Sequence, residues 1–350
     1  MTLPDFVLAG QWPDTSGEAF TFDDSEYADD TALLYCSRAD AESQGPPLME
    51  HFADWGMEVH AGTDTKGSKT EVLFCPAPLH TYTDPTTYDG VDLSDVQLGG
   101  GRSWPVVEKF SYLGDMVERC GGDASAVAAR ITAAGKAFGA LRGCLFSSTS
   151  VSRAAKAAAY EGIVLSILLF GSESWCLTEM LRQRLRVFHA MALRAMCRVS
   201  RKHTWEHHIA TEDLMSQLGL DGMEYYVARR QLGWLGHVAR MPASRLPRQM
   251  LSAWVPHPRP VGAPRMTYGR SISKAFDVFG LHHTDWPSLA ADRVAWREML
   301  RSGHAPPIHR AAPSTPAALP IALTRPRRAL ATVTNAKIRS SLAAYEDDDL

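Results

Sequence analysis

The chain has 350 residues, 45% of them hydrophobic and 21% charged, enough apolar material for a sizeable core spread over about two domains. Residues 1–10 carry no basic leader or sustained apolar run, and the most apolar stretch, residues 163–170, is too short for a bilayer and is interrupted by Ser166, so a soluble intracellular protein with no membrane partner is the expectation. The net charge of −3 hides an asymmetry: residues 1–100 carry 3 basic and 19 acidic side chains, residues 101–250 carry 20 and 12, and residues 251–350 carry 13 and 8, which suits a metal-holding first third ahead of a part that follows a phosphate backbone, or ordinary surface charge.

In chain order, the acidic stretch Asp23-Asp24-Ser25-Glu26 and the aromatic and apolar residues Tyr27 to Tyr35 predict a strand–turn–strand. Leu48, Met49, Phe52 and Trp55 have helical spacing, with Asp40 near a helix start, Pro46 and Pro47 as early-turn residues and Gly56 as the stop. Short strands are predicted at 57–60 and 71–75, and residues 79–105 read as a loop. Phe110-Ser111-Tyr112-Leu113-Gly114 is a compact aromatic strand and turn. Helices are predicted over 125–141, 151–169, 178–199 and 225–240. Residues 241–268 hold six prolines and read as an extended connection, residues 286–300 as one amphipathic helix, and residues from 303 onward as a disordered tail. Cys36, Cys75, Cys120, Cys144, Cys176 and Cys197 form no C-x-x-C pair; free buried thiols are predicted rather than disulfides or a zinc ribbon.

Asp29 and Asp30 are the leading chemical candidates. Adjacent carboxylates repel one another, and a divalent cation is the usual device that neutralises them. A tight hairpin turn would let at least one project beside such an ion; an accidental Asp-Asp turn is the plainer alternative. In the basic helical part, Arg182, Arg184, Arg186, Arg194, Arg198, Arg201 and Lys202 surround an apolar stripe of Leu185, Phe188, Met191 and Leu193, a face able to neutralise several phosphates or simply to be solvated. His203, His207 and His208 with Cys197 match no common zinc spacing.

From Tyr27 to about Pro247 the chain resembles the reverse transcriptases of non-LTR (LINE-type) retrotransposons. Tyr27-Ala28-Asp29-Asp30-Thr31-Ala32-Leu33-Leu34 looks like the family's metal-binding palm hairpin. Gly67-Ser68-Lys69-Thr70-Glu71-Val72 resembles the next palm element, and Phe110-Ser111-Tyr112-Leu113-Gly114 the primer-grip hairpin. Leu168-Leu169-Phe170-Gly171-Ser172-Glu173-Ser174-Trp175 is similar to the "LLYGSETW" run behind the thumb. Gln231-Leu232-Gly233-Trp234-Leu235-Gly236-His237-Val238-Ala239-Arg240-Met241 is similar to the "RWLGHVLRM" segment.

The resemblance implies an α+β fold: a partial polymerase palm with a short antiparallel sheet and a helix over 1–118, a helical thumb and connection region over 119–248, a Pro-rich connection with one helix over 249–302, and a disordered tail over 303–350. It implies Asp29 and Asp30 as Mg²⁺ (or Mn²⁺) ligands and catalytic residues. Lys69 would act beside the incoming nucleotide as a general acid, or else be a solvated turn lysine. Tyr27, Tyr112, Leu113 and Gly114, together with Arg182, Arg186, Arg194 and Arg198 of the basic face, would contact an RNA template and a DNA primer, with no obligate protein partner; the alternative for Tyr112 and Leu113 is packing within the protein. The family places a further aspartate well over fifty residues before the YADD turn, more than residues 1–26 accommodate. The prediction is therefore a fragment of an RNA-directed DNA polymerase that is inactive alone, since two-metal chemistry needs carboxylates from two segments. The alternatives are a non-catalytic nucleic-acid-binding remnant and a degenerate reading frame in which only the helical part folds.

Overall fold

The computed structural model describes residues 24–27, 30–63, 67–75, 91–252 and 266–303. Strand β1 (Asp24–Tyr27) pairs antiparallel with β2 (Asp30–Leu33) in a register running from Asp24 opposite Leu33 to Tyr27 opposite Asp30. Helix α1 (Arg38–Asp54) follows, its first turn closed by the Ser37 hydroxyl, which accepts from the Asp40 N–H at 3.1 Å. Pro46 and Pro47 lie inside this helix rather than in its first turn, because the Ser37 cap starts it earlier than the prolines suggest.

Beyond α1 come β3 (Val72–Leu73), the hairpin β4 (Val96–Gly99)–β5 (Arg102–Trp104) and β6 (Val106–Val107), which pairs parallel with β3. Ala41 and Met49 of α1 bury against Val96, Leu98 and Trp104 of the hairpin as a small core. Gly45 permits the close approach, since a Cβ there would stand 2.7 Å from Leu98 Cδ2. Arg38 ties the same helix to the loop before β4, donating from Nη1 to Ser94 O and from Nη2 to Asp95 O, each at 2.7 Å.

β7 (Lys109–Tyr112) and β8 (Asp115–Glu118) form a hairpin around Leu113 (φ 49°) and Gly114 (φ 79°). Both central residues are left-handed, the geometry whose twist matches paired strands. After it the chain is helical. α2 (Ala124–Leu141) leads into a π-helical turn (Arg142–Phe146), and α3 (Arg153–Ala159) into a π-helical stretch (Tyr160–Leu165) and the short α4 (Ser166–Leu168). Next are α5 (Glu179–Cys197), α6 (Arg201–Glu206), α7 (Thr211–Leu218), α8 (Met223–Ala239) and α9 (Leu246–Ser252). Last come α10 (Tyr268–Phe279), α11 (Trp286–Ala291) and α12 (Arg293–Ser302).

Leu181, Leu185, Phe188, Ala192 and Met196 recur at helical spacing on α5 and are buried. They join Phe138, Phe146, Tyr160, Leu168, Trp175 and Tyr226 in the largest core. A second core gathers Leu232 and Leu235 of α8 with Phe276, Phe279, Trp286 and Trp296. α8 serves both, which is why its buried residues occupy more than one face. The boundary expected at 248/249 therefore separates segments that share one core, and all the described residues lie in one compact unit.

The protein is α+β and mostly helical, with four two-stranded sheets among the described residues. The single short antiparallel palm sheet expected from the sequence is thus divided into separate pairs, one of them parallel. Residues 57–60 form no strand, and the loop expected over 79–105 contains the β4–β5 hairpin, whose turn uses positive φ at Gly99, Gly100 and Gly101. The extended connection contains α9, and α10 follows it. The single helix expected over 286–300 is two, divided at Asp292, whose carboxylate caps α12 by accepting from Val294 N and Ala295 N. The six cysteines are free, but four are exposed and Cys176 and Cys197 half-buried, so the expected burial of these thiols is corrected. The tail and residues 253–265 lie outside the described residues. Among those described, no helix is long and apolar enough to cross a membrane.

Candidate nucleic-acid interface

In the β1–β2 hairpin, antiparallel pairing and the two-residue side-chain period put Ser25, Tyr27, Asp30 and Ala32 on one face and Asp24, Thr31 and Leu33 on the other. The second face looks onto α1 across a cleft of about 860 Å³ that Asp24, Thr31, Leu33, Leu48 and Phe52 help to line. Tyr27 is 67% exposed and Asp30 is also exposed. Asp24 thus points away from Asp30 and supplies it no second carboxylate. Asp29, the other expected ligand, lies outside the described residues. Among the described residues no three His, Cys, Asp or Glu side chains converge to hold an ion; these residues by themselves do not fit a two-metal cradle.

The hairpin is nevertheless tied to another expected site. The Tyr112 hydroxyl at the end of β7 donates to Ser25 O at 3.3 Å, so the Phe110–Gly114 segment adjoins the YADD strand. Leu113 is 43% exposed at the turn. On its other side this turn meets the Leu168–Trp175 segment. The Arg130 guanidinium donates to Gly114 O and lies 4.3 Å above the Phe170 ring, which in turn lies beside Gly114. Gly171 (φ 77°) abuts Asp115, where a Cβ would stand 2.5 Å from Oδ2.

The contacts continue. Cys176 N donates to Asp123 Oδ2 at 2.7 Å. Burial, with Asp115 and Glu118 nearby, raises the Asp123 carboxyl above its usual range, and burial pushes the Cys176 thiol up to about 11. Trp175 O accepts from Gln231 Nε2 at 2.9 Å, and the same amide reaches Ser271 Oγ at 3.0 Å. Four of the five segments singled out in the sequence therefore form one connected series. Lys69 stands apart: its backbone N–H donates to His60 Nδ1 at 2.9 Å, its side chain is exposed, and it forms no ion pair with Asp30.

The arginines of α5 divide. Arg182 is buried, its Nη2 3.5 Å from Ser271 Oγ, and belongs to the contact between α5 and α10. Arg186 pairs with Glu179 at 2.7 Å and with Glu224, so two carboxylates already occupy it. Arg194 is half-exposed, its basicity lowered by burial and by the Arg201 guanidinium. Arg198 is exposed and closes α5 in the left-handed conformation. In the expected apolar stripe Leu185, Phe188 and Leu193 are buried, whereas Met191 is 45% exposed. The sequence reading missed a second concentration of arginines, Arg229 and Arg230 on α8 with Arg297 and Arg301 on α12. The adjacent Arg229-Arg230 and the i,i+4 pair Arg297 and Arg301 were each visible, but not their convergence.

The chain is 27% identical over 281 residues to an uncharacterized transposon-derived protein of Caenorhabditis elegans, an alignment covering 79% of this chain and 94% of the relative. No family model and no solved structure matches it. The likeness points to a transposable-element origin.

Proposed function

We propose that this transposable-element chain carries the second half of a reverse-transcriptase palm followed by thumb-like helices, and that on its own it holds a nucleic-acid strand without extending it. The Tyr112–Ser25 bond, with the Phe170–Gly171 turn seated behind the same hairpin, carries this reading. It joins in space three segments, far apart in the chain, that resemble successive parts of one polymerase family.

On this reading Tyr27 offers an exposed ring on the face of Asp30, and the exposed Leu113–Gly114 turn beside it gives a strand backbone a surface to lie against. Arg194 and Arg198 add positive charge at the end of α5, while Arg182 and Arg186 hold the helices together. Any magnesium ion would be held by Asp29 and Asp30, and the catalytic role of Lys69 has no geometric support beyond its place in the chain. The test has two parts. Binding to an RNA–DNA hybrid should weaken steeply with salt, since each phosphate neutralised contributes about 0.9 to the log–log slope; a flat dependence overturns the reading. Primer extension on an RNA template with Mg²⁺ should be absent, and extension abolished by Asp29→Ala would show a working polymerase instead.

A further inference from the structure

Arg229, Arg230, Arg297 and Arg301 line one open cleft of about 760 Å³, floored by Leu165, Leu169 and Leu300. α8 and α12 are locked together by the glycines of the Gln231–Met241 segment. A Cβ on Gly236 would stand 2.1 Å from the Trp296 indole nitrogen, and that nitrogen donates to Leu232 O at 3.0 Å. The neighbouring Tyr225 hydroxyl donates to Leu300 O at 3.5 Å. This fixed crossing brings two arginine pairs, remote in sequence, to the same opening. The facing wall is the π-helical stretch, a backbone irregularity that recurs at functional sites.

The charges in this cleft are unbalanced. Arg301 pairs with Glu298, whereas Arg229, Arg230 and Arg297 form no ion pair among the described residues. The acidic lining residue Glu161 accepts a hydrogen bond from the Tyr226 hydroxyl at 2.8 Å. Like charges gathered over an apolar floor repel one another until an anion arrives, and a cleft concentrates their field. Guanidinium groups match phosphate oxygens in bidentate geometry, and an apolar floor suits bases or sugars between phosphates.

We propose that this cleft is a phosphate-backbone site for single-stranded nucleic acid, separate from the β1–β2 and β7–β8 hairpins. The inference deepens the proposed strand-holding role and rests on it.

The test is fluorescence anisotropy of a labelled 20-nucleotide RNA and its DNA counterpart with the full chain across a salt series. The double variant Arg229→Glu/Arg297→Glu should lose on the order of tenfold or more in affinity, and about 1.4 of the salt slope for two phosphates of a single strand. Arg102→Glu, an exposed charge reversal on β5, should change neither. Gly162→Leu, where a new Cβ meets nothing within 4 Å, should obstruct the cleft without changing charge and also weaken binding. Unchanged affinity and slope in both the double variant and Gly162→Leu overturn the cleft while leaving the strand-holding role intact. Absence of nucleic-acid binding by the unmodified chain overturns both. Displacement of the oligonucleotide by micromolar tripolyphosphate would identify a small polyphosphate site and overturn the nucleic-acid assignment.

Discussion

Acidification should loosen the helical core through His189. This imidazole is 3% exposed, with Tyr160 Oη 2.9 Å from its Nδ1 and Asp221 O 3.1 Å from its Nε2. A backbone carbonyl can only accept, so Nε2 carries the proton, Nδ1 accepts from the Tyr160 hydroxyl, and the ring is neutral. Burial lowers its pKa to about 4, against the opposing pull of the Asp221 carbonyl and Glu224. The unfolded chain, near 6.5, binds the extra proton first as pH falls. The contribution of His189 to stability is therefore complete above pH 6.5 and declines toward pH 4, by about 2 kcal/mol at pH 5 and about 3 in all. Urea midpoints followed by fluorescence of the buried tryptophans at pH 7.5, 6.5, 5.5 and 5.0 would measure the decline. His189→Gln, which keeps a donor and an acceptor but does not titrate, should flatten it over this range. An equally steep decline in that variant would refute the assignment.

Gly236→Ala should cost about 3 kcal/mol, because its methyl overlaps the Trp296 indole; a denaturation midpoint equal to that of the unmodified chain would mean that α8 and α12 do not pack this closely. Tyr112→Phe removes the bond to Ser25 O, so amide exchange over β1 and β2 should quicken while global stability falls by no more than about 1 kcal/mol. Unchanged exchange would separate the two hairpins. Asp30→Ala, at an exposed hairpin end, should leave the melting temperature within the equivalent of about 0.5 kcal/mol, and a large loss would reveal an unrecognised partner.

The sequence made the hairpins and long helices legible where local chemistry decided them. The run after Asp30 pairs with Asp24–Tyr27 as the strand–turn–strand its apolar and aromatic residues predict, the Leu113–Gly114 turn lies where the aromatic strand ends, and of the stripe on α5 Leu185, Phe188 and Leu193 are buried while Met191 is not. α10 escaped notice because the dense prolines before it drew the reading toward a connection, although Ile272, Ala275, Phe276 and Phe279 have helical spacing. The β4–β5 hairpin was hidden by three successive glycines that resemble loop composition. Arg182 could not be recognised as interior from its type, because its partner Ser271 lies 89 residues away. Remoteness in sequence likewise hid the arginine cleft, whose two halves become neighbours only when α12 seats against Gly236. The metal reading depends on Asp29, which the described residues do not include.

Because α8 belongs to two interiors at once, the molecule cannot be dissected where its composition invites a cut. A polypeptide ending soon after Met241 would keep the helix but leave Ala228, Leu232 and Leu235 wetted on one flank, with Trp296 and Phe276 gone. Such a product should self-associate through that bare flank, so a copy shortened there would lose solubility while still containing the whole Gln231–Met241 segment.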